Sequence, residues 1–232
     1  MMKVIIDEDC LNNLPLFTFL PDTHSFKEYV LPLASPIQLT KTPSFIQPFF
    51  KLPTHKFTAT FTFYTHSDLK KFLEFIHQTK GNIEKFWLPV WINQFQLSRP
   101  VLATESVISV KNVKLFHFLP ETLKSKLRIF FYKPLSSKKV LFVIRQVIGI
   151  REINNEEEQL FLSSKLNYDF KTTTDPSNPD NILIGRLALV RFATENFNLK
   201  FFFSTNQEFK NQMIAKINLE FLELTYEFVK FY

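Results

Sequence analysis

The chain has 232 residues, 45% of them hydrophobic and 22% charged, with a formal net charge of +6. That balance is that of an ordinary soluble globular protein. No apolar run reaches the roughly 18–20 residues of a membrane helix, and the longest, "VLFVIRQVIGI" at 140–150, is broken by Arg145. A single cysteine, Cys10, excludes an internal disulfide.

Phenylalanine occurs 29 times and glycine only 3 times, and lysine far outnumbers arginine. An AT-rich coding sequence produces the same bias, so neither the aromatic content nor the charge alone signals a ligand. A pI near 9.3 permits contact with nucleic acid. The lysines are dispersed, however, and the densest pairs, Lys70–Lys71 and Lys138–Lys139, are short. Nucleic-acid binding is therefore not the expected role.

In chain order, "MMKVIIDEDC" carries Asp7, Glu8 and Asp9 where a signal peptide needs an apolar core, so no export signal is expected. At 56–64, "KFTATFTFY" alternates Phe57, Ala59, Phe61 and Phe63 with threonines, the period-2 pattern of a strand with one buried face. "SDLKKFLEFIHQTKG" then predicts a helix over about 67–80. Ser67 is the expected cap, and Leu69, Phe72, Leu73 and Ile76 form an apolar stripe. Gly81 is placed to end the helix in the left-handed conformation.

"FWLPVWINQFQL" follows. Read as a strand, it turns Trp87, Pro89 and Trp91 one way and Phe86, Leu88, Val90 and Ile92 the other. A proline there implies an edge strand or a bulge. Phe86, Trp87, Trp91 and Phe95 are the candidate aromatics. They serve a packed core or an inter-subunit contact, or, exposed, a platform for bases or sugars.

Strands are expected at 101–110, 127–133, 139–152 and 158–164, with a weaker helix at 119–127 opened by Pro120. "YKPLSSKKV" (132–140) reads as a hairpin connection, "NNEEEQ" (154–159) as a turn with solvated acids, and "TTTDPSNPDN" (172–181) as an extended loop. "IGRLALVRF" (184–192) and "FNLKFFF" (197–203) read as strands. In the C-terminal run, Ile217, Leu219 and Phe221 hand over to Leu222, Leu224, Tyr226 and Phe228, a slip of one residue. Such a slip turns the apolar set to the wrong face unless a bulge absorbs it, so a bulge is expected near Phe221–Leu222.

The expected fold is mainly β (α+β): antiparallel β-sandwich or barrel-like units with one clear helix. A break near Ser98–Pro100 is expected to divide a β-plus-helix unit (1–98) from a β unit (99–232), with a single domain as the alternative.

The residues point to no reaction. Gly81, Gly149 and Gly185 each stand alone, which excludes a glycine-rich phosphate loop. His24, His55, His66, His77 and His117 form no zinc motif. Glu223 and Glu227, four apart on a strand, lie about 13 Å apart, beyond the roughly 5–9.5 Å of a glycosidase pair. No catalytic residue, cofactor or metal is expected.

A strand leading into "SDLKKFLEFIHQTKG" and then "FWLPVWINQFQL" resembles a pattern in tail proteins of tailed bacteriophages and phage-like particles. "GRLALVRFATENFNLKFFFSTNQEFKNQMIAKINLEFLELTYEF" is similar to the matching tail half of those proteins. Arg191, Phe192, Ala193 and Thr194 stand at its Arg-Phe-Ala-Ser/Thr segment. Glu195 and Asn196 stand at its turn, Leu199 to Phe203 at its aromatic strand, and Leu219 to Glu227 at its closing strand. Asn93 and Gln94 depart from the acidic residue usual after the second tryptophan. The two blocks cover about half the chain, separated by roughly 90 residues. The resemblance implies a virion component of the distal tail, baseplate or hub, assembling as a homo-oligomeric ring with other tail proteins: tail tube, hub and the tape-measure region. It implies no catalytic residues. A nucleic-acid- or glycan-binding β module is the alternative.

Overall fold

The computed structural model describes residues 3–9, 11–31, 54–119, 126–136, 139–171, 182–203 and 213–224. The elements in chain order are β1 (Lys3–Glu8), β2 (Lys27–Leu31), β3 (Thr54–Phe63), α1 (His66–Gln78), β4 (Phe86–Pro89), β5 (Val107–Lys111) and α2 (Leu115–Phe118). They continue with β6 (Arg128–Ser136), β7 (Lys139–Glu152), β8 (Glu157–Leu162), β9 (Leu183–Phe192), β10 (Lys200–Phe203) and β11 (Met213–Glu223). The protein is mainly β, its strands pair mostly antiparallel, and the sheet does not close on itself.

The units differ from the division expected at Ser98–Pro100. One comprises Met1–Thr18 with Trp87–Ala188, the other Phe19–Phe86 with Leu189–Tyr232. No boundary forms at the expected break, because Leu97 bridges Val110 and Val101 bridges Phe170. These pairings tie the stretch on both sides of Pro100 into one core.

In the first unit the strand order is β9-β6-β7-β8-β5, and β1 runs parallel along β7 from Lys3↔Lys139 to Glu8↔Ile144. The fourteen residues of β7 serve two neighbourhoods. Its first part pairs with β6, its second with β8, and the register shifts between Val147 and Gly149. Ile148, in that irregularity, is thrown out to solvent. The core holds Ile129 and Phe131 of β6, Leu141 and Val143 of β7, and Leu160 and Leu162 of β8, with Phe170 stacked on Phe131 at 5.0 Å.

Arg145, read in the sequence as a break in an apolar run, is 1% exposed. Its guanidinium donates to the carbonyls of Lys165 (2.9 Å), Asp7 (3.0 Å) and Ile144 (2.8 Å) and to Asp7 Oδ2 (2.9 Å). A buried arginine is tolerable only with its planar fork of donors filled. Here the filling fastens β1 to β7.

In the second unit β3 lies between β2 and β11, while β9 and β10 both pair with β11. The expected alternation appears directly. Phe57, Ala59, Phe61 and Phe63 are buried, as are Ile217, Leu219 and Phe221 opposite them. Helix α1 adds Leu69, Phe72 and Phe75. Phe63 stacks on Phe72 at 4.8 Å, and Phe86 meets Phe192 at 4.7 Å and Phe75 at 5.2 Å. Each fully buried phenylalanine contributes about 1.5–3 kcal/mol, which explains how a glycine-poor sequence holds long strands together.

The helix begins one residue earlier than expected. Thr65, not Ser67, is the cap, and its hydroxyl accepts from the Asp68 N–H at 3.1 Å. Thr65 has the extended backbone a cap needs, whereas Ser67 already lies in the first turn. Gly81 ends the segment at φ +66° as expected, with Lys80 also left-handed.

The helix expected at 119–127 falls largely outside the described residues; just before it, α2 is a single turn at Leu115–Phe118, and Leu119 is extended. Three expectations are corrected. No bulge forms at Phe221–Leu222: the ladder runs unbroken through Phe221↔Phe57 and Leu222↔Lys56. Flanking β3 and β9 hold the register, so Glu223 falls on the buried side at 8% exposure. The strand at 197–203 shrinks to β10, where Phe201 and Phe202 are about half exposed (53% and 49%). The acids of 154–159 are not all solvated, because Glu158 is fully buried. The expected loop 172–181 and Glu227 lie outside the described residues.

Candidate functional site

Of the four candidate aromatics, Phe86 belongs to the second unit and Trp87, Trp91 and Phe95 to the first. Phe86 is fully buried among Phe75, Phe192 and Phe221. Trp87 opens the return to the first unit and is 3% exposed. Its indole Nε1 donates to the Leu11 carbonyl at 3.0 Å, and the Arg128 guanidinium sits 4.6 Å from its ring centre. Its backbone N–H donates to Pro15 and its carbonyl accepts from Phe17. Strand β4 therefore has the 15–17 segment along it. The two-faced reading of 86–92 fails here, because Phe86, Trp87, Leu88, Pro89 and Val90 are all buried.

Beyond Pro89, which has no N–H to give, the ladder to β9 resumes with the Val90 N–H donating to Arg186 at 3.0 Å. Gly185 is required at that crossing. A Cβ on it would lie 2.7 Å from the Val90 carbonyl oxygen and 2.8 Å from the Phe130 ring. Trp91 is half-buried and meets Phe130, Tyr132 and Phe142 edge-on at 5.7, 5.4 and 5.7 Å. Its buried Nε1 has no hydrogen-bond partner among the described residues. Burial also raises the Tyr132 phenol above its ordinary pKa.

Asn93 and Gln94 have a definite task. Asn93 Oδ1 accepts from the Ile184 N–H at 3.3 Å, and Gln94 Oε1 from the Arg186 N–H at 2.9 Å. The N–H groups of Gln94 and Phe95 both reach the Ile184 carbonyl. Two amide side chains thus complete the edge of β9 where the main chain of 93–95 bends away. Phe95 drops into the first unit's core at 4% exposure. Phe86, Trp87 and Phe95 are therefore interior, and the stacking-platform reading has no open ring to use at those three positions.

The same segment forms one wall of a half-open groove of about 660 Å³ in the first unit. Gln96 and Ser98 face it from this wall, Lys111 and Asn112 from the end of β5, and Asn154 with Glu156 from the β7–β8 turn. The turn is braced. Asn112 Nδ2 donates to Glu152 and to the Asn154 carbonyl, Asn154 Oδ1 accepts from Glu156 N–H, and Ser98 donates to Glu157. Behind it, the Glu158 carboxylate accepts from the N–H groups of Val113, Leu115 and Phe116 at 3.1–3.3 Å, which holds the α2 turn. Nothing in the sequence marks this groove, because its walls come from five separated stretches.

Among the described residues no group of three or more His, Cys, Asp or Glu side chains could hold a metal, and no helix is long and apolar enough to cross a membrane. His117 pairs with Glu152 at 2.9 Å; His66 opens α1 and His77 lies in its last turn. No family model matches the chain, and no curated protein matches it.

Proposed function

We propose that this chain is a non-enzymatic structural subunit of a phage or phage-like tail tip. It acts as an adaptor in the distal tail, baseplate or hub region and assembles with tube and hub proteins in a symmetric ring. The observation that supports this reading is that the two sequence blocks resembling tail proteins pair with each other. Within the second unit, β3 of the first block lies against β11 of the second from Ala215↔Phe63 to Leu222↔Lys56. Phe75 and Phe86 of the first block pack on Phe192 of the second. Within the first unit, Val90 and Gln94 bond to Arg186. Within each unit, stretches far apart in sequence thus pair with each other, as a shared structural module requires. Strand β10, paired with β11 alone among the described strands and carrying half-exposed Phe201 and Phe202, is the kind of edge that neighbours cover in an assembly.

The test is to purify tail-bearing particles from the producing cells, identify their proteins by mass spectrometry, and locate this chain with gold-labelled antibody. Label at the tail tip is expected, with ring-sized species of the purified chain in light scattering. A monodisperse monomer that is absent from particles would refute the proposal.

A further inference from the structure

We propose that the groove between the 93–98 segment and the β7–β8 turn is a binding site for a neutral, hydroxyl-rich ligand, a saccharide of two or three rings. Its volume, about 660 Å³, lies within the roughly 300–1,000 Å³ typical of small-molecule sites. Its formal charge balances: Lys111 and Lys171 stand against Glu156 and Glu157. A groove built for phosphate or nucleic acid carries an excess of cations, and one built for a peptide anchor offers an open aromatic or aliphatic pocket. Here Phe95 and Leu97 are only 4% and 7% exposed, and the apolar surface that remains, around half-buried Ile182, offers no deep anchor pocket among the described residues.

What the walls offer is a mixture of donors and acceptors. The amides of Asn93 and Asn154 have their oxygens engaged by backbone N–H groups, which fixes the orientation of each NH2. Gln96 supplies both an acceptor and a donor, and the Glu156 carboxylate supplies acceptors. A sugar hydroxyl gives one hydrogen bond and accepts others, so a neutral polyol satisfies such a set without a counter-ion. The bracing of the turn and of residues 93–95 holds these groups in place before a ligand arrives, which lowers the ordering cost of binding.

The experiment uses the full chain against chitobiose, maltotriose, cellobiose and lactose at millimolar concentration, read by saturation-transfer NMR and then calorimetry. Gln96→Ala, on an exposed side chain with no hydrogen bond among the described residues, is the first variant, and Lys171→Glu is the second. At least one saccharide is expected to bind, with little dependence on salt. Gln96→Ala is expected to weaken binding roughly fivefold to tenfold, the loss of about one hydrogen bond, with an unchanged melting temperature. Binding by none of the four overturns the proposal. Equal binding by Gln96→Ala overturns it too, as does binding that collapses with salt or with Lys171→Glu. The saccharide site is independent of assembly: a monomer absent from particles that still binds sugar defeats the tail-tip reading and leaves this one standing.

Discussion

Arg145→Met is the most informative single substitution in the first unit. The arginine is buried and its fork is filled by the carbonyls of Lys165, Asp7, Ile144 and, at 3.5 Å, Leu166, together with Asp7 Oδ2. Methionine preserves most of the apolar volume and removes every donor. Asp7 itself is the smaller concern, because its side chain is 24% exposed and keeps the Asn167 amide at 3.0 Å. The carbonyls are the larger one, since those around the guanidinium lose their donor where water does not replace it. Removing one partner of a buried pair costs roughly 3–5 kcal/mol, and at about 2–4 °C per kcal/mol for chains of this size the transition falls by roughly 6–20 °C. Arg145→Lys keeps the charge and loses the fork, and costs roughly 1–3 kcal/mol. The assay is urea denaturation of all three proteins followed by hydrogen exchange, in which the amides of β1 lose protection before those of the β6–β7 hairpin. An Arg145→Met protein within about 0.5 kcal/mol of the parent, or one whose β1 stays protected, would refute the view that this residue fastens β1.

Gly185→Ala forces a methyl against the Val90 carbonyl and the Phe130 ring; it is expected to destabilise by about 1–3 kcal/mol, seen as a lower urea midpoint. Glu158→Gln weakens the acceptor shared by Val113, Leu115 and Phe116 and is expected to cost about 1–3 kcal/mol, with faster exchange of those three amides. Thr65→Ala removes the α1 cap and costs about 1 kcal/mol, read by the same denaturation. The Tyr132 phenol, raised above 10.0 by burial, stays neutral in the folded chain at a pH where the unfolded chain has begun to ionise. Its contribution is therefore intact below pH 10.0 and is lost as pH rises through the folded value. Tyr132→Phe should flatten the alkaline fall in stability, and a difference titration at the tyrosinate absorbance band checks it.

The strands whose alternation has a single period were legible from residue types alone: β3, β11 to Phe221, and the sequence of β6, β7 and β8 between turn-forming clusters. Helix α1 was legible for the same reason, one period and one stop signal. The failures have physical causes. A two-unit division was expected where Pro100 breaks the pattern, but contacts between Leu97 and Val110 and between Val101 and Phe170 carry no local signature. The slip in apolar phase at Phe221–Leu222 signalled a bulge, yet ladders on both sides held the register and buried Glu223 instead. Arg145 and Glu158 are buried charges held mostly by backbone groups, with Asp7 Oδ2 also on Arg145, which no pattern of side chains announces. At the candidate site the burial of Trp87 and Phe95 follows from the 11–17 segment and β9 lying against them, contacts that no local pattern announces. The groove, assembled from side chains of unremarkable composition, left no trace in the sequence.

The alternation of the chain between its two units also constrains how it is made. As the polypeptide leaves the ribosome, β3 and α1 emerge with their apolar faces bare, because β11, the strand that Phe57 and Phe61 lie beside, is encoded after the whole central stretch. The nascent first unit can collapse on its own local hairpins while the other waits, exposing phenylalanines that aggregate readily at that stage. Slowed translation late in the message, or a chaperone that shields the early strand, would therefore govern the yield of this protein more than the final stability of either half.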